Sequence, residues 1–369
     1  MIEGKLIAAV VFSVAVVVAV VLSWVLAFYS RRMAWRFKAL SYPDERRKQA
    51  TPMPQWGGLG ICLTIIILIG LLDGAGFLEQ TGLDSLQLTG FLIGLIVLLV
   101  GGMVDDKKSL PAHIQIIFPI VAALIVLATG TSIIQVTNPL DARGFSLMWW
   151  SRDLVAWLPG VTSFPGDLMT LAWMIVATYT MKILDGLDGL VDGLTVIGAG
   201  LVAALSFSPA YYQPAVATIS GIVGGAYLGF LPHNRHPAKQ YLGEAGSLIA
   251  GFSLGFLAIL STAKIAIALA VLAIPITDLF LVALGRIRRG EPWYKGDRTH
   301  LHFRLLSAGV PHRIAVYLLW AVSLAAGVIA LTLQTQGKIF LVVALVVTAA
   351  LSSYVAGYKS KKRNAAGQL

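Results

Sequence analysis

Charge is what this chain has least of. Asp, Glu, Lys and Arg make up 12% of its 369 residues, against about 25% in an ordinary soluble domain. So little charge cannot cover a water-soluble globule. The 57% hydrophobic content and mean hydropathy of +0.80 exclude that class as well. Cysteine is reduced to Cys62, which rules out an internal disulfide and any cysteine-based metal spacing. Cys62 lies in an apolar run and reads as packing. There is no fixed-period repeat, which excludes a solenoid, and no low-complexity tract. A cleavable signal peptide is not expected either. Residues 6–29 are 24 nearly unbroken apolar positions, too long for the apolar core of a signal, and no small-residue cleavage site interrupts them.

Long apolar runs are what the chain does have. A bilayer span takes about 20 apolar residues. Candidate spans are 6–29, 56–72, 87–104, 114–136, 168–184, 193–208, 214–231, 247–262, 265–284, 314–332 and 338–357. They predict an all-α, polytopic membrane helix bundle of ten or eleven transmembrane helices, with 1–369 as a single integral membrane domain. The shorter runs suit helices that end inside a protein cavity.

Basic residues then orient the bundle. One set of loops and the 358–369 tail carry 22 of the 28 Lys and Arg, while the opposite set carries five. Cytoplasmic loops are the positive ones. The N-terminus is therefore expected outside and the C-terminus in the cytoplasm of a plasma or inner membrane. The net charge of +10 then reflects topology and anionic lipid headgroups, and no nucleic-acid partner is expected. The same sorting brings Asp105, Asp106, Asp185, Asp188, Asp192, Glu244, Asp278 and Asp297 to the cytoplasmic side, with His233, His236, His300, His302 and His312. The one long outer segment, about 137–167, holds Trp149, Trp150, Trp157, Pro159 and Pro165 and reads as an interfacial aromatic belt.

Five stretches stand out against this background. Residues 181–193 read MKILDGLDGLVDG. On a helix, Asp185, Asp188 and Asp192 fall within roughly a 60° arc, with Lys182 on the same side. Acids this close at the end of an apolar run repel one another and resist desolvation, so a compensating positive group is expected. The glycine after each Asp lets another backbone or a phosphate approach. Asp105-Asp106-Lys107-Lys108 ends the third run. It reads either as a solvated turn or as a carboxylate pair of the kind that holds Mg²⁺ together with substrate phosphates. Residues 233–239, HNRHPAK, lead into Leu242-Gly243-Glu244-Ala245-Gly246-Ser247. This is a basic loop before a helix start where Gly246 and Ser247 could favour an anion and Glu244 could ligate a metal. Residues 297–304 read DRTHLHFR. His300 and His302 stand about 200° apart on a helix, so they share a site only if the backbone is non-helical there. With Arg298 and Arg304 they look more like a diphosphate clamp than a zinc half-site. Residues 51–60, TPMPQWGGLG, follow a basic run that includes Lys48. Their glycines read as tight packing, and the basic run could face a nucleotide.

These five segments, collinear over about 43–310, resemble the polyprenyl-phosphate N-acetylhexosamine-1-phosphate transferases. The HLHFRLL form is more similar to the N-acetylglucosamine branch than to the phospho-N-acetylmuramoyl-pentapeptide translocases. The resemblance implies a cytoplasm-facing cleft. It also implies transfer of a sugar 1-phosphate from a UDP-sugar to a polyprenyl phosphate such as undecaprenyl phosphate, with UMP released, as the first membrane step of cell-envelope glycan synthesis. Mg²⁺ is the implied cofactor, with Mn²⁺ as a substitute, and a homodimer is the implied assembly. It further implies Asp188 and Glu244 nearest the metal, and Asp105 and Asp106 orienting or deprotonating the lipid phosphate or helping to hold the metal. Asp185 would organise the site, and Arg298, His300, His302 and Arg304 would hold diphosphate or sugar. Lys48, Asn234 and Lys239 would contact the nucleotide. The chain departs from the family pattern at Glu244, where Asp is usual, at Lys182, where Asn is usual, and at Phe303, where His is frequent. Alternative readings are a muramoyl-pentapeptide transferase, a membrane transporter and a non-catalytic relative. A transporter would place its acids nearer the mid-bilayer.

Overall fold

The computed structural model describes residues 2–42, 51–137, 144–151, 163–260, 265–292 and 299–365. Helix α1 (Ile2–Arg36) is followed by α2 (Gly57–Gly74), the short α3 (Phe77–Gln80), α4 (Ser85–Lys108), the short α5 (Ala112–Gln115) and α6 (Ile117–Ala128). After an extended segment come α7 (Gly166–Leu184), α8 (Leu190–Ser206), α9 (Pro214–Asn234), α10 (Gly243–Leu260) and α11 (Ile265–Arg288). The short α12 (Leu301–Ser307), α13 (His312–Thr332) and α14 (Thr335–Ala365) complete the described chain. Among the described residues nine helices are long and apolar enough to cross a bilayer, and Ala112–Ala128 and Leu190–Ser206 are two shorter apolar stretches. The chain is thus an all-α polytopic membrane protein. Helix α14 runs to Ala365, so much of the basic tail is helical.

The layering follows from which helices have polar or small faces. Helices α9 and α10 are buried along most of their length; α9 packs on α1 and α8, and α10 on α7, α4 and α2. Phe91 of α4 stacks between Phe252 and Phe256 of α10, at 5.8 and 4.3 Å between ring centroids. The outer helices α1, α13 and α14 turn Val, Leu and Phe side chains outward, as lipid-facing surfaces must. The glycines of 51–60 do serve packing: a methyl group on Gly58 would lie 2.3 Å from the backbone nitrogen of Gly246.

Strands are few and short among the described residues. β1 (Leu40–Ser41) pairs antiparallel with β2 (Met53–Pro54), β3 (Gln135–Thr137) with β4 (Gly144–Ser146), and β5 (Met148–Ser151) with β6 (Ser163–Pro165). The last two pairs occupy the segment expected as an aromatic belt. Trp157 and Pro159 of that segment lie outside the described residues.

The helical arc read through Asp185, Asp188 and Asp192 is not formed. Helix α7 stops at Leu184, Asp185 caps it, and α8 starts at Leu190. Gly189 sits at φ +79°, a conformation glycine adopts without the cost a side chain would bring. Asp185, Asp188 and Asp192 therefore lie on a helix end, a turn and a second helix, and share no helical face with Lys182.

Candidate functional site

The ends of α4, α7 and α9 meet the starts of α8, α10 and α13 at one end of the bundle, and the acids collect there. Helix α4 ends in Asp105 and Asp106. Asp105 is buried, and its Oδ1 accepts bonds from the Leu110 N–H (2.7 Å) and the Gln115 side chain (3.2 Å). Asp106 Oδ1 accepts the backbone N–H of Glu244 at 2.9 Å, capping the open end of α10. This closeness depends on Gly243, at φ +78°, where a Cβ would come within 2.5 Å of Asp106 Oδ2. Lys182, in the last turn of α7, pairs with Glu244 Oε2 at 3.0 Å and donates to Gln115 at 2.6 Å. Asp106 is within electrostatic reach of Glu244, Asp105 and Asp185. Four carboxylates from three elements thus lie within electrostatic reach of Asp106 or of one another, and Lys182 acts on two of them, Glu244 and Asp105. Lys182 pairs with Glu244 and not with the aspartate row for which a compensating positive group was expected.

A second group forms on the turn between α7 and α8. The Asp188 carboxylate binds the His236 ring (Nδ1 to Oδ2, 2.8 Å) and accepts the Ala238 N–H (3.2 Å). The Asp188 backbone N–H donates to His312 Nε2 at 3.2 Å. Among the described residues no hydrogen bond or ion pair joins Asp188 to Glu244. Asp192 is fully buried in α8 and takes a bond from the Asn234 side chain at 2.6 Å. Asn234 is committed to this contact, whereas Lys239 is exposed.

His300 and His302 do meet. His300 has extended backbone just ahead of α12 (φ −66°, ψ 152°), and its ring lies 5.9 Å from His302 and nearly parallel to it. Asp278 of α11 organises this corner: its carboxylate takes His300 Nδ1 at 2.8 Å and the Leu301 N–H at 2.9 Å. A carboxylate acceptor puts the proton on Nδ1 and leaves Nε2 for another partner. Among the described residues, neither ring nitrogen of His302 has a hydrogen bond. Burial, and then the charge of His300, lower its pKa to about 3. His302 lines a cavity of about 10 Å³ with Asp278, Leu184 and Leu319, room for one water. It also abuts Gly186, where a Cβ would be 2.5 Å from Nε2, so the glycine-rich turn and DRTHLHFR are in contact.

Other expected members are engaged by the protein itself. Arg304 bonds the Thr299 carbonyl and the Ser353 carbonyl and hydroxyl. Gly246 accepts the Tyr227 hydroxyl, and Ser247 bonds within its own helix. Lys48 and Arg298 lie outside the described residues. The 51–60 and 233–247 stretches are joined by backbone bonds: Tyr241 N–H to Pro54 O, Gly57 N–H to Tyr241 O, and Gly58 N–H to Leu242 O. His236, His312 and Asp278 were not singled out from the sequence as site members. Clustering of histidines on the basic side was the available signal.

The model of glycosyl transferase family 4 matches residues 88–262. The chain is 31% identical over 368 residues to a decaprenyl-phosphate N-acetylglucosaminephosphotransferase of Mycolicibacterium smegmatis, covering 89% of this chain and 86% of that one. It is 27% identical over 341 residues to a "Probable undecaprenyl-phosphate N-acetylglucosaminyl 1-phosphate transferase" of Bacillus subtilis (strain 168), covering 90% and 88%. A phospho-N-acetylmuramoyl-pentapeptide-transferase of Halalkalibacterium halodurans is 27% identical over 332 residues, covering 86% and 94%. With its five stretches converging on one end of a membrane bundle, the chain belongs to glycosyl transferase family 4, the polyprenyl-phosphate N-acetylhexosamine-1-phosphate transferases.

Proposed function

We propose that this enzyme transfers N-acetylglucosamine 1-phosphate from UDP-N-acetylglucosamine to a polyprenyl phosphate such as undecaprenyl phosphate, and releases UMP. Sugar-1-phosphate transfer to polyprenyl phosphate follows from the relatives' activities. The N-acetylglucosamine donor is supported by their names and by the HLHFRLL stretch. The observation that carries the reading is the gathering of Asp105, Asp106, Asp185 and Glu244, with Lys182 paired to Glu244, where α4, α7 and α10 meet.

In the reaction, an oxygen of the lipid phosphate attacks the sugar-bearing phosphorus of the donor. The bond from that phosphorus to the bridging oxygen breaks, and UMP carries the oxygen away. A lipid phosphate is largely ionised near neutral pH, so the chain's task is positioning and charge balance. The hard oxygen donors of the acidic group fit Mg²⁺, with Mn²⁺ as a substitute. Asp106, Asp185 and Glu244 would hold it, and when bound it would neutralise phosphate charge. Asp106 keeps Glu244 and the start of α10 in place. Asp278 orients His300 toward the diphosphate or sugar, and Lys239 is left to the nucleotide. Asp188 stands three residues beyond Asp185, on the same turn. The excess of basic loops on this side supports a cytoplasmic site.

The test is product analysis of the purified chain with undecaprenyl phosphate and a panel of UDP-sugars, with and without Mg²⁺. Metal-dependent UMP release with UDP-N-acetylglucosamine is expected. UMP release with a UDP-muramoyl-pentapeptide alone would overturn the choice of donor.

A further inference from the structure

Asp188, His236 and His312 come from three separate elements: the α7–α8 turn, the loop after α9 and the first turn of α13. One donor atom from each lies within 4.8 Å of the other two. The two imidazole rings stack at 4.0 Å between centroids, tilted by 22°. Arg313 donates to the His236 carbonyl at 3.1 Å and so fixes the loop that presents that ring. Asp188 and His236 keep 19% and 40% of their side chains exposed, so an ion can reach them from water. His312 Nδ1 is buried and has no hydrogen bond among the described residues, while Nε2 accepts the Asp188 N–H at 3.2 Å, a bond that ligation through Nε2 would replace.

We infer that Asp188, His236 and His312 form a binding site for a borderline divalent cation of the Zn²⁺ class, separate from the carboxylate group around Glu244. Two imidazoles and one carboxylate, with further positions open to water, is a usual donor set for Zn²⁺ and its first-row neighbours. It is a poor one for Mg²⁺, which asks for oxygen ligands in octahedral array. Zinc takes nitrogen and oxygen donors at about 2.0–2.2 Å, so two donors on one ion stand at most about 4.2 Å apart. In a tetrahedral array two such donors stand about 3.4 Å apart, so the widest pair here would close by at most about 1.4 Å, a movement side-chain rotation can supply. The hydrogen bond of 2.8 Å between His236 and Asp188 brings a nitrogen and an oxygen side by side, and the ion would take the place of its proton. Arg313 adds positive charge nearby, so donor chemistry, and not a negative field, is what selects the ion. Occupancy would tie three elements together and hold Asp188 away from the acidic group. The second consequence rests on the proposed transfer reaction; the binding itself does not.

The test uses the full chain in detergent, stripped of metal, with saturating Mg²⁺ present so that the carboxylate group is not read out. Zn²⁺ is added by calorimetry and Co²⁺ as a spectroscopic probe. The expected result is one Zn²⁺ per chain, visible Co²⁺ bands of a nitrogen-ligated ion, and a higher unfolding temperature with Zn²⁺. His236→Ala and His312→Ala should each lose all three, and His113→Ala, at an exposed histidine of α5, should keep them. Size-exclusion profiles and the milder His236→Gln separate lost ligation from lost folding. The inference fails if the wild-type chain binds no Zn²⁺. It fails equally if both histidine variants bind as the wild type does. Transfer activity is not read in this experiment, so its outcome is independent of the proposed reaction.

Discussion

Gly243→Ala isolates the contact on which the acidic group depends. Gly243 lies at φ +78° directly before Glu244, and an alanine methyl there would stand 2.5 Å from Asp106 Oδ2. A left-handed backbone costs an L-residue about 1–2 kcal/mol. Ordinary contact begins at 3.4 Å, so the Asp106 carboxylate must retreat by about 0.9 Å. That breaks the 2.9 Å bond from the Glu244 N–H, and a hydrogen bond to a charged group contributes about 1.5–3 kcal/mol. A loss of about 2.5–5 kcal/mol is expected in total. A displacement near 1 Å at a reacting site costs on the order of 100-fold in rate. The assay is UMP release alongside thermal unfolding in detergent. Gly82→Ala is the control, because Gly82 has φ +89° but nothing within 4 Å of the added methyl. It should lose only the conformational share and keep its rate. The reasoning is refuted if Gly243→Ala folds and turns over like Gly82→Ala.

Three further outcomes are expected. Asn234→Ala strips the buried Asp192 carboxylate of its 2.6 Å bond; a stability loss of about 1–3 kcal/mol should follow, read from unfolding curves, and an unchanged midpoint would contradict it. A double-mutant cycle of Lys182→Met and Glu244→Gln should give a coupling of about 0.5–3 kcal/mol for the 3.0 Å pair; Lys182→Asn should also shift rate or donor preference, and additive effects with no such shift would remove Lys182 from the site. His302 stays neutral in the fold down to about pH 3, whereas an unfolded histidine takes up a proton below about 6.5. The unfolded state thus binds more protons in that window, and stability should fall as pH drops from about 6.5 toward 3. His302→Gln should flatten that slope, and an unaltered slope would refute the assignment.

The span pattern was legible because a bilayer demands about 20 apolar residues whatever surrounds them. The runs at 114–136 and 193–208 reappear as the shorter apolar stretches Ala112–Ala128 and Leu190–Ser206, the first ending eight residues before its expected bound. The convergence of the five stretches was legible too, since the basic loops sorted them to one side before any contact was known. Local geometry was not. A helical arc through Asp185, Asp188 and Asp192 assumed that spacing of three and four means one helix, and the turn closed by Gly189 broke it. The pairing of Lys182 with Glu244 bridges 62 positions of sequence, and no local pattern encodes a contact of that range. His236, His312 and Asp278 were hidden for the same reason: each takes its role from a partner on another element. By contrast, the His300–His302 pair followed from a stated condition, non-helical backbone at His300, which the structure meets.

The central claim is that a sugar 1-phosphate, and not a bare sugar, passes to the lipid. UDP-N-acetylglucosamine labelled on the sugar-bearing phosphorus tests it in one partition experiment with the purified chain and undecaprenyl phosphate. The label is expected in the lipid phase, matched one to one by UMP in the water. Label left in aqueous UDP, with the sugar alone on the lipid, would contradict the account.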